Sequence, residues 1–177
     1  MIYMRNVVLI GFMGTGKTST GKLLANRLGY FFIDTDNKIE IDNKISINDM
    51  FAQYGEKYFR AREMETIRKV AEYHNAVIST GGGVVLNEDN MIALRQNGIV
   101  ITLTASVDVI LERTGRRKNT RPLLKEEDRR QIIVDLLENR HELYQRADLI
   151  LDTSELSPLQ VTDEIIKFIR KVDELRA

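Results

Sequence analysis

Cysteine is absent from the 177-residue sequence, which excludes disulfide bonds and thiolate metal sites and is consistent with a reducing compartment. An excess of basic charge is also absent, because 26 lysine and arginine residues balance 26 aspartate and glutamate residues. Nucleic-acid and membrane-surface partners normally require such an excess, so neither is expected. The apolar run at 7–13 contains a glycine and is far shorter than a membrane span. Residues 1–6 are too short and polar to open a signal peptide, so we expect a cytoplasmic protein.

The order of apolar runs and helical patterns indicates one compact α/β domain. Short runs rich in aliphatic and β-branched residues predict strands at 7–10, 30–33, 76–79, 99–103 and 149–151. Helical spacing and capping residues predict helices at 17–28, 46–54, 56–73, 87–96, 106–113, 127–144 and from Pro158 onward, with Gly55 as an interruption. Strands that alternate with helices indicate a parallel sheet covered on both faces.

Residues 11–18 read Gly-Phe-Met-Gly-Thr-Gly-Lys-Thr and fit the phosphate-loop (P-loop) pattern G-x-x-x-x-G-K-S/T at every fixed position. The glycines allow backbone N–H groups to turn inward around phosphate oxygens, and the following helix points its positive dipole end at the same anion. We expect Lys17 to reach the β- and γ-phosphates and the Thr18 hydroxyl to bind Mg²⁺. The alternative is a glycine-rich turn with a chance lysine. The residues expected to bind ATP here are Gly14, Thr15, Gly16, Lys17, Thr18 and Ser19.

Other motifs narrow the class of P-loop protein. A regulatory GTPase needs an N-K-x-D motif well downstream, and the nearest string, residues 37–40, reads Asn-Lys-Ile-Glu and follows the second strand directly. There is no D-x-x-G switch motif, and a motor or helicase would normally be larger. The sequence therefore favours a small kinase with a lid.

Two carboxylates follow the second predicted strand. Asp34 and Asp36 are two residues apart, so in an extended segment their side chains point the same way. Both can then face the crevice at the carboxyl end of the sheet, where open α/β sheets bind ligands. One could hold Mg²⁺ through water, and the other could orient or deprotonate an acceptor hydroxyl. The alternative is a solvated turn with a helix-capping aspartate.

Glycines and arginines supply further candidates. Residues 80–83 end the third strand with three glycines, which allow a ligand to approach the backbone, although a flexible turn would need the same residues. Arg60 and Arg140 are candidates for binding an anionic group, with surface exposure as the alternative. His74 and His141 have no partner spacing that indicates a metal site, and both are interpreted as structural.

A basic loop follows the predicted helix at 106–113. It is either a solvated basic face or a lid that closes over ATP, neutralises phosphate charge and excludes water. Its cations are Arg113, Arg116, Arg117, Lys118 and Arg121.

Taken together, these motifs resemble those of the shikimate kinase family over essentially the whole length of the chain. The matching stretches are residues 11–21, 32–36, Phe59-Arg60 with Glu63, 80–83, 121–124 and Arg140 with Tyr144. The resemblance implies a three-layer P-loop fold like that of nucleoside-monophosphate kinases, with a five-stranded parallel sheet in the order 2-3-1-4-5 flanked by helices. It also implies that MgATP phosphorylates the 3-hydroxyl of shikimate, giving shikimate 3-phosphate and ADP on the route to chorismate and the aromatic amino acids.

The resemblance assigns roles to individual residues. Asp34 would place Mg²⁺ together with Thr18, Arg121 would be the lid arginine on the phosphates, and Arg113 would stack on adenine. We expect Lys17, Asp36 and Arg121 to act in catalysis. Shikimate would be bound by Asp36, Arg60, Gly81, Gly82, Gly83 and Arg140, with the two arginines on its carboxylate.

The resulting hypothesis is a monomeric kinase made of one domain, 1–177, with an acceptor-binding helical insertion at about 36–63 and a lid at about 115–125. Two alternatives stay open. One is a P-loop kinase for another small polyol acid such as gluconate, with the same triphosphate machinery and a different acceptor shell. The other is an ATP-dependent binding protein or switch that hydrolyses slowly and phosphorylates nothing.

Overall fold

The computed structural model describes residues 5–115 and 126–175. Five parallel strands form one sheet in the order β2-β3-β1-β4-β5, which confirms the α/β fold and the strand order that the resemblance implied. The strands are β1 (Asn6–Ile10), β2 (Phe31–Asp34), β3 (Ala76–Ser79), β4 (Gly98–Thr104) and β5 (Leu149–Asp152). The helices are α1 (Lys17–Leu28), α2 (Thr35–Asn43), α3 (Ile47–Ala71), α4 (Glu88–Gln96), α5 (Val107–Gly115), α6 (Glu126–Gln145) and α7 (Pro158–Glu174).

Side chains alternate along each strand, so the two faces of the sheet pack against different helices. On β1, Val8 and Ile10 belong to a core cluster shared with α3, α4, α5 and α6. Val7 and Leu9 belong to a second cluster shared with α1 and α7. This arrangement gives three layers, and it explains why the strand sequences read as continuous apolar runs.

Helix ends follow local capping chemistry, as the sequence predicted. Gly29 ends α1 in the left-handed region at φ 68°. Ser157 and Gln160 form a reciprocal capping box at the start of α7, with Pro158 in the first turn. Within α3, Gly55 has the non-helical angles φ 80° and ψ 173°, so the predicted interruption lies at this residue. None of the described helices combines the length and the apolar character that a membrane span requires.

Helix α2 was not predicted as an element. It begins directly after β2, and Asp34 caps it by accepting a hydrogen bond from the Asn37 amide at 3.1 Å. Tertiary contacts also stabilise the helix, because Ile39 packs with Met50 and Phe59 of α3 in a small cluster outside the two main cores. A nine-residue helix is marginal alone, so α2 depends on this contact.

Two isoleucines on α2 test this dependence. Ile39 is 0% exposed and Ile41 is 65% exposed, so the same change to alanine probes burial alone. We expect Ile39→Ala to lower the free energy of unfolding by about 2–5 kcal/mol, the range for deleting buried aliphatic groups. Ile41→Ala should change it by no more than about 0.5 kcal/mol. Urea unfolding of the two variants provides the measurement, and equal losses would contradict the packing role of Ile39.

Candidate active site

A cavity of about 790 Å³ lies at the carboxyl ends of β1, β2 and β3. Its walls come from the P-loop, from residues at the ends of β2 and β3, from the last turn of α5, from α6, and from the segment between β5 and the start of α7. Parallel strands bring these segments together although they are distant in the chain. The cavity therefore contains most of the residues that the sequence singled out, including Lys17, Thr18, Asp34, Asp36, Gly81, Gly82 and Arg113.

The P-loop connects β1 to α1 and contains three glycines with positive φ, the first of them Gly11 at 139°. Gly14 has φ 77° and Gly16, the residue before α1, has φ 93°. These angles are easily adopted only by glycine, and they turn the loop back on itself. The Lys17 ammonium donates to the carbonyls of Gly11 and Phe12 at 2.9 and 2.8 Å and is largely buried. Residues 14–19 all line the cavity, which is where a triphosphate would need them.

The two residues predicted to hold Mg²⁺ are in direct contact. The Thr18 hydroxyl donates to Asp34 Oδ2 at 3.1 Å, while Asp34 Oδ1 caps α2. A hydroxyl and a carboxylate are hard oxygen donors, which fit Mg²⁺. Among the described residues there is no group of three or more His, Cys, Asp or Glu that could hold a metal alone. The Thr18–Asp34 pair suits Mg²⁺, which is usually bound by one or two protein oxygens together with waters and substrate phosphates.

Asp36 lines the cavity from a helix, where the sequence predicted an extended segment. The expectation of an extended segment from Asp34 to Asp36 is wrong, because Asp34 ends β2 and Asp36 lies in the first turn of α2. A methyl group at Gly81 would lie 2.6 Å from Asp36 Oδ1, so glycine allows the carboxylate to approach the backbone. The Gly81 amide also donates to the Thr35 hydroxyl at 3.3 Å, which ties α2 to the loop after β3.

Arg60 and Arg140 meet at the same glycine loop. Arg140 Nη1 donates to the Gly82 carbonyl at 3.3 Å. A methyl group at Gly83 would lie 2.5 Å from Arg60 Nη1, so the guanidinium packs directly over this glycine. The two arginines come from α3 and α6, and only the fold brings them together. The structure therefore assembles Asp36 and both arginines around residues 81–83.

Glu63 is a member of this cluster to which the sequence assigned no role. It is 2% exposed and accepts two hydrogen bonds from Arg60 Nη1, at 3.0 and 3.1 Å. Burial raises the pKa of the Glu63 carboxyl, Arg60 and Arg140 act in the opposite direction, and Asp36 adds to the increase. The spacing of Arg60 and Glu63 on one helix predicts an ion pair, but burial of the carboxylate could not be predicted from spacing.

The far wall of the cavity holds Arg113 and residues from the segment after β5. Arg113 Nη1 donates to the Gly14 carbonyl at 3.2 Å and to the Thr153 hydroxyl at 3.1 Å, and Nη2 donates to the Thr153 carbonyl at 2.8 Å. Thr153, Leu156 and Pro158 line the cavity beside it. These residues come after β5 and carry no motif, so only the strand order could locate them. Arg121 and residues 116–125 of the predicted lid lie outside the described residues.

The two histidines carry no site within the described part of the chain. His74 Nδ1 lies 2.9 Å from the Asn97 side-chain amide, and His141 is exposed on α6. Both placements fit the structural interpretation.

Comparison with known proteins identifies the family. The sequence model of shikimate kinases matches residues 13–170. A shikimate kinase from Thermodesulfovibrio yellowstonii is 46% identical over 93% of this chain and 94% of its own length. One from Geobacter sulfurreducens is 47% identical over 94% of this chain and 92% of its own length. The chain belongs to the shikimate kinase family.

Solved structures agree with this membership. The shikimate kinase from Acinetobacter baumannii in complex with shikimate has a TM-score of 0.89 at 36% identity, covering 95% of this chain and 94% of its own. A gluconokinase from Sinorhizobium meliloti has a TM-score of 0.60 at 18% identity, so it shares the fold alone. As a member of this family the chain is an ATP-dependent kinase, and neither the gluconate kinase nor the switch protein gains support.

Glu63→Gln tests the burial of this carboxyl group. Because folding raises the pKa of Glu63 above its ordinary value of 4.5, the folded state binds the proton more tightly than the unfolded state does. The stability that this group contributes is therefore present below pH 4.5 and is lost as the pH rises through the folded-state pKa. We expect the stability of wild type relative to Glu63→Gln to fall as the pH rises through that window, measured by urea unfolding.

The matched control is Glu56→Gln, which removes the exposed carboxylate partner of the same arginine. Its difference from wild type should change much less over the same pH range. A wild-type advantage over Glu63→Gln that grows with pH would mean that the Arg60 ion pair outweighs burial.

Proposed function

We propose that the protein transfers the γ-phosphoryl group of MgATP to the 3-hydroxyl of shikimate, giving shikimate 3-phosphate and ADP for the synthesis of chorismate and the aromatic amino acids. The observation that supports this most directly is the convergence of two sites at one edge of the sheet. The P-loop would bind the triphosphate, and Asp36, Arg60 and Arg140 surround the adjacent glycine loop. Family membership gives the acceptor its identity.

At the nucleotide end, residues 14–19 would surround the phosphates of ATP with backbone N–H groups. Lys17 would exchange its contacts with the Gly11 and Phe12 carbonyls for the β- and γ-phosphates, where its charge stabilises the transferring group. Arg113 would stack on adenine, since its guanidinium is held on the cavity wall by Gly14 and Thr153. Arg121 would bring a further positive charge to the phosphates from the lid at about 115–125.

Thr18 and Asp34 would hold Mg²⁺, Thr18 directly and Asp34 directly or through water. When bound, the ion would neutralise charge on the triphosphate. The 3.1 Å contact between the two side chains supports this pairing, since one ion can reach both oxygens.

At the acceptor end, the shikimate carboxylate would bind Arg60 and Arg140, and Gly81, Gly82 and Gly83 would allow the ring to approach the backbone. Asp36 would accept a hydrogen bond from the 3-hydroxyl, orient its oxygen towards the γ-phosphorus and take its proton as the new P–O bond forms. It lies in the first turn of α2, and its carboxylate lies against Gly81 of the glycine loop.

We also propose the division of the chain that this function requires. One kinase domain, 1–177, would carry an acceptor-binding insertion at about 36–63 and the lid. The separate cluster of Ile39, Met50 and Phe59 supports treating the insertion as a packed unit. A monomeric state, a cytoplasmic location and the absence of nucleic-acid or membrane partners stay predictions from composition.

ADP release coupled to a spectroscopic assay tests the function with three samples: shikimate, gluconate and no acceptor. We expect MgATP turnover with shikimate and near-background rates in the other two samples. Gluconate is an open-chain acid, so its carboxylate and hydroxyls would not occupy the positions that those groups take on the shikimate ring. Faster turnover with gluconate would overturn the acceptor assignment, and equal rates without acceptor would favour an ATPase.

Asp36→Asn and Asp34→Asn separate the two carboxylates. Asp36→Asn should preserve ATP binding while kcat falls by at least about 10²-fold, because the acceptor hydroxyl loses its base. Asp34→Asn should instead raise the Mg²⁺ concentration needed for half-maximal turnover, because a weaker oxygen ligand replaces the carboxylate. Steady-state kinetics across a Mg²⁺ titration measure both effects, and identical profiles for the two variants would refute this division of roles.

A further inference from the structure

We propose that Tyr144 is a positioning residue for the acceptor site: its hydroxyl fixes the Gly82 carbonyl and so sets the orientation of Arg140 and of the peptide bond between Gly82 and Gly83. The inference deepens the proposed function and rests on it, because that function assigns these residues to shikimate. It adds a residue that contacts no substrate and acts only through its neighbours.

Tyr144 is held at both of its ends. The side chain is 4% exposed and packs in the core cluster between the sheet and α6. Its hydroxyl donates to the Gly82 carbonyl at 2.6 Å. Its own backbone carbonyl accepts a hydrogen bond from the Thr102 hydroxyl on β4, also at 2.6 Å. The tyrosine thus connects the central part of the sheet to the glycine loop after β3.

The Gly82 carbonyl is shared by Tyr144 and Arg140. The two side chains are one helical turn apart on α6, so they lie on the same face. A carbonyl oxygen has two lone pairs, and here the tyrosine bond of 2.6 Å is much shorter than the arginine bond of 3.3 Å. The tyrosine is therefore the stronger donor to this carbonyl. Arg140 also hydrogen-bonds to the Tyr144 hydroxyl itself, so the tyrosine positions the arginine through both contacts.

The same hydroxyl controls the neighbouring amide. The carbonyl of Gly82 and the N–H of Gly83 belong to one planar peptide unit and point in opposite directions. Fixing the carbonyl towards α6 therefore also fixes the Gly83 N–H, at the glycine that packs beneath Arg60. One hydrogen bond determines the backbone orientation between both arginines of the acceptor site.

Removal of the hydroxyl would leave the Gly82 carbonyl with the long 3.3 Å bond from Arg140. This partly buried carbonyl still needs a donor, so it would draw the Arg140 guanidinium inward and away from the acceptor carboxylate. Burial also raises the pKa of the Tyr144 hydroxyl, with Arg140 acting in the opposite direction, so the group remains a protonated donor at neutral pH.

Tyr144→Phe tests the inference because it removes only the hydroxyl. We expect the KM for shikimate to rise by about tenfold, the effect of losing one well-placed hydrogen bond. The kcat should fall by less than about threefold and the Kd for ATP without shikimate should not change, because the P-loop keeps its contacts.

Thr102→Val is the matched control. It removes a hydrogen bond of the same length from the same tyrosine, but at the end that faces β4. Thr102→Val should lower the Tm about as much as Tyr144→Phe does, but it should leave the KM for shikimate at the wild-type value. An equal rise in KM for the two variants would mean that Tyr144 supports the fold in general, and this would overturn the inference.

A double variant tests whether the effect passes through Arg140. In an Arg140→Ala background, Tyr144→Phe should add less than half of its single-variant effect on log KM, since the residue that it positions is gone. Full additivity, or a wild-type KM for Tyr144→Phe alone, would contradict the inference while leaving the function intact.

Failure of the function itself gives a different result. If wild type neither binds nor phosphorylates shikimate, the acceptor assignment fails. The positioning role of Tyr144 can still be tested by the amide NMR chemical shifts of Gly82 and Gly83. Tyr144→Phe should move both shifts and Thr102→Val should not; unmoved shifts in Tyr144→Phe would overturn it.

Discussion

The position of β1 at the centre of the sheet determines where every group of the site can lie. It pairs with β3 on one side and β4 on the other and is buried on both faces, so its carboxyl end has little freedom to move. The P-loop starts from that end. Because β3 separates β1 from β2, the glycine loop after β3 stands between the phosphate loop and the start of α2. Strand order, and not separation along the chain, therefore places Asp36 across the glycine loop from Lys17.

The Asp34 carboxylate links the two halves of the site through its two oxygens. One accepts from the Thr18 hydroxyl in the first turn of α1, and the other caps α2 at the Asn37 amide. A cation at Thr18 would compete for the first oxygen and leave the second free to hold the cap. The helix that carries Asp36 is therefore capped by the same side chain that would help to bind the metal. A small shift of Asp34 would move both the metal site and Asp36.

The parts of this site that could be predicted from the sequence are those fixed by local chemistry. The glycines of the P-loop, the start of α7 at Pro158 and the interruption at Gly55 each follow from residues within one turn. Helix α2 could not be predicted, although a helix-capping aspartate was the alternative interpretation of Asp34 and Asp36, because its stability comes from Ile39 packing against α3. The bond from Tyr144 to Gly82 joins segments 62 residues apart, so no local pattern could indicate it.

The charges at the acceptor end determine which contact an incoming carboxylate would replace. Arg60 is bonded to two carboxylates of very different exposure, with the Glu56 side chain 64% exposed and that of Glu63 2% exposed. An exposed ion pair contributes about 0–1 kcal/mol, so the Glu56 contact is easily given up. Removing the partner of a buried carboxylate costs about 3–5 kcal/mol, so the Glu63 contact is not. Arg60 should therefore keep Glu63 as a fixed anchor and offer the acceptor the donors, Nε and Nη2, that now point at Glu56.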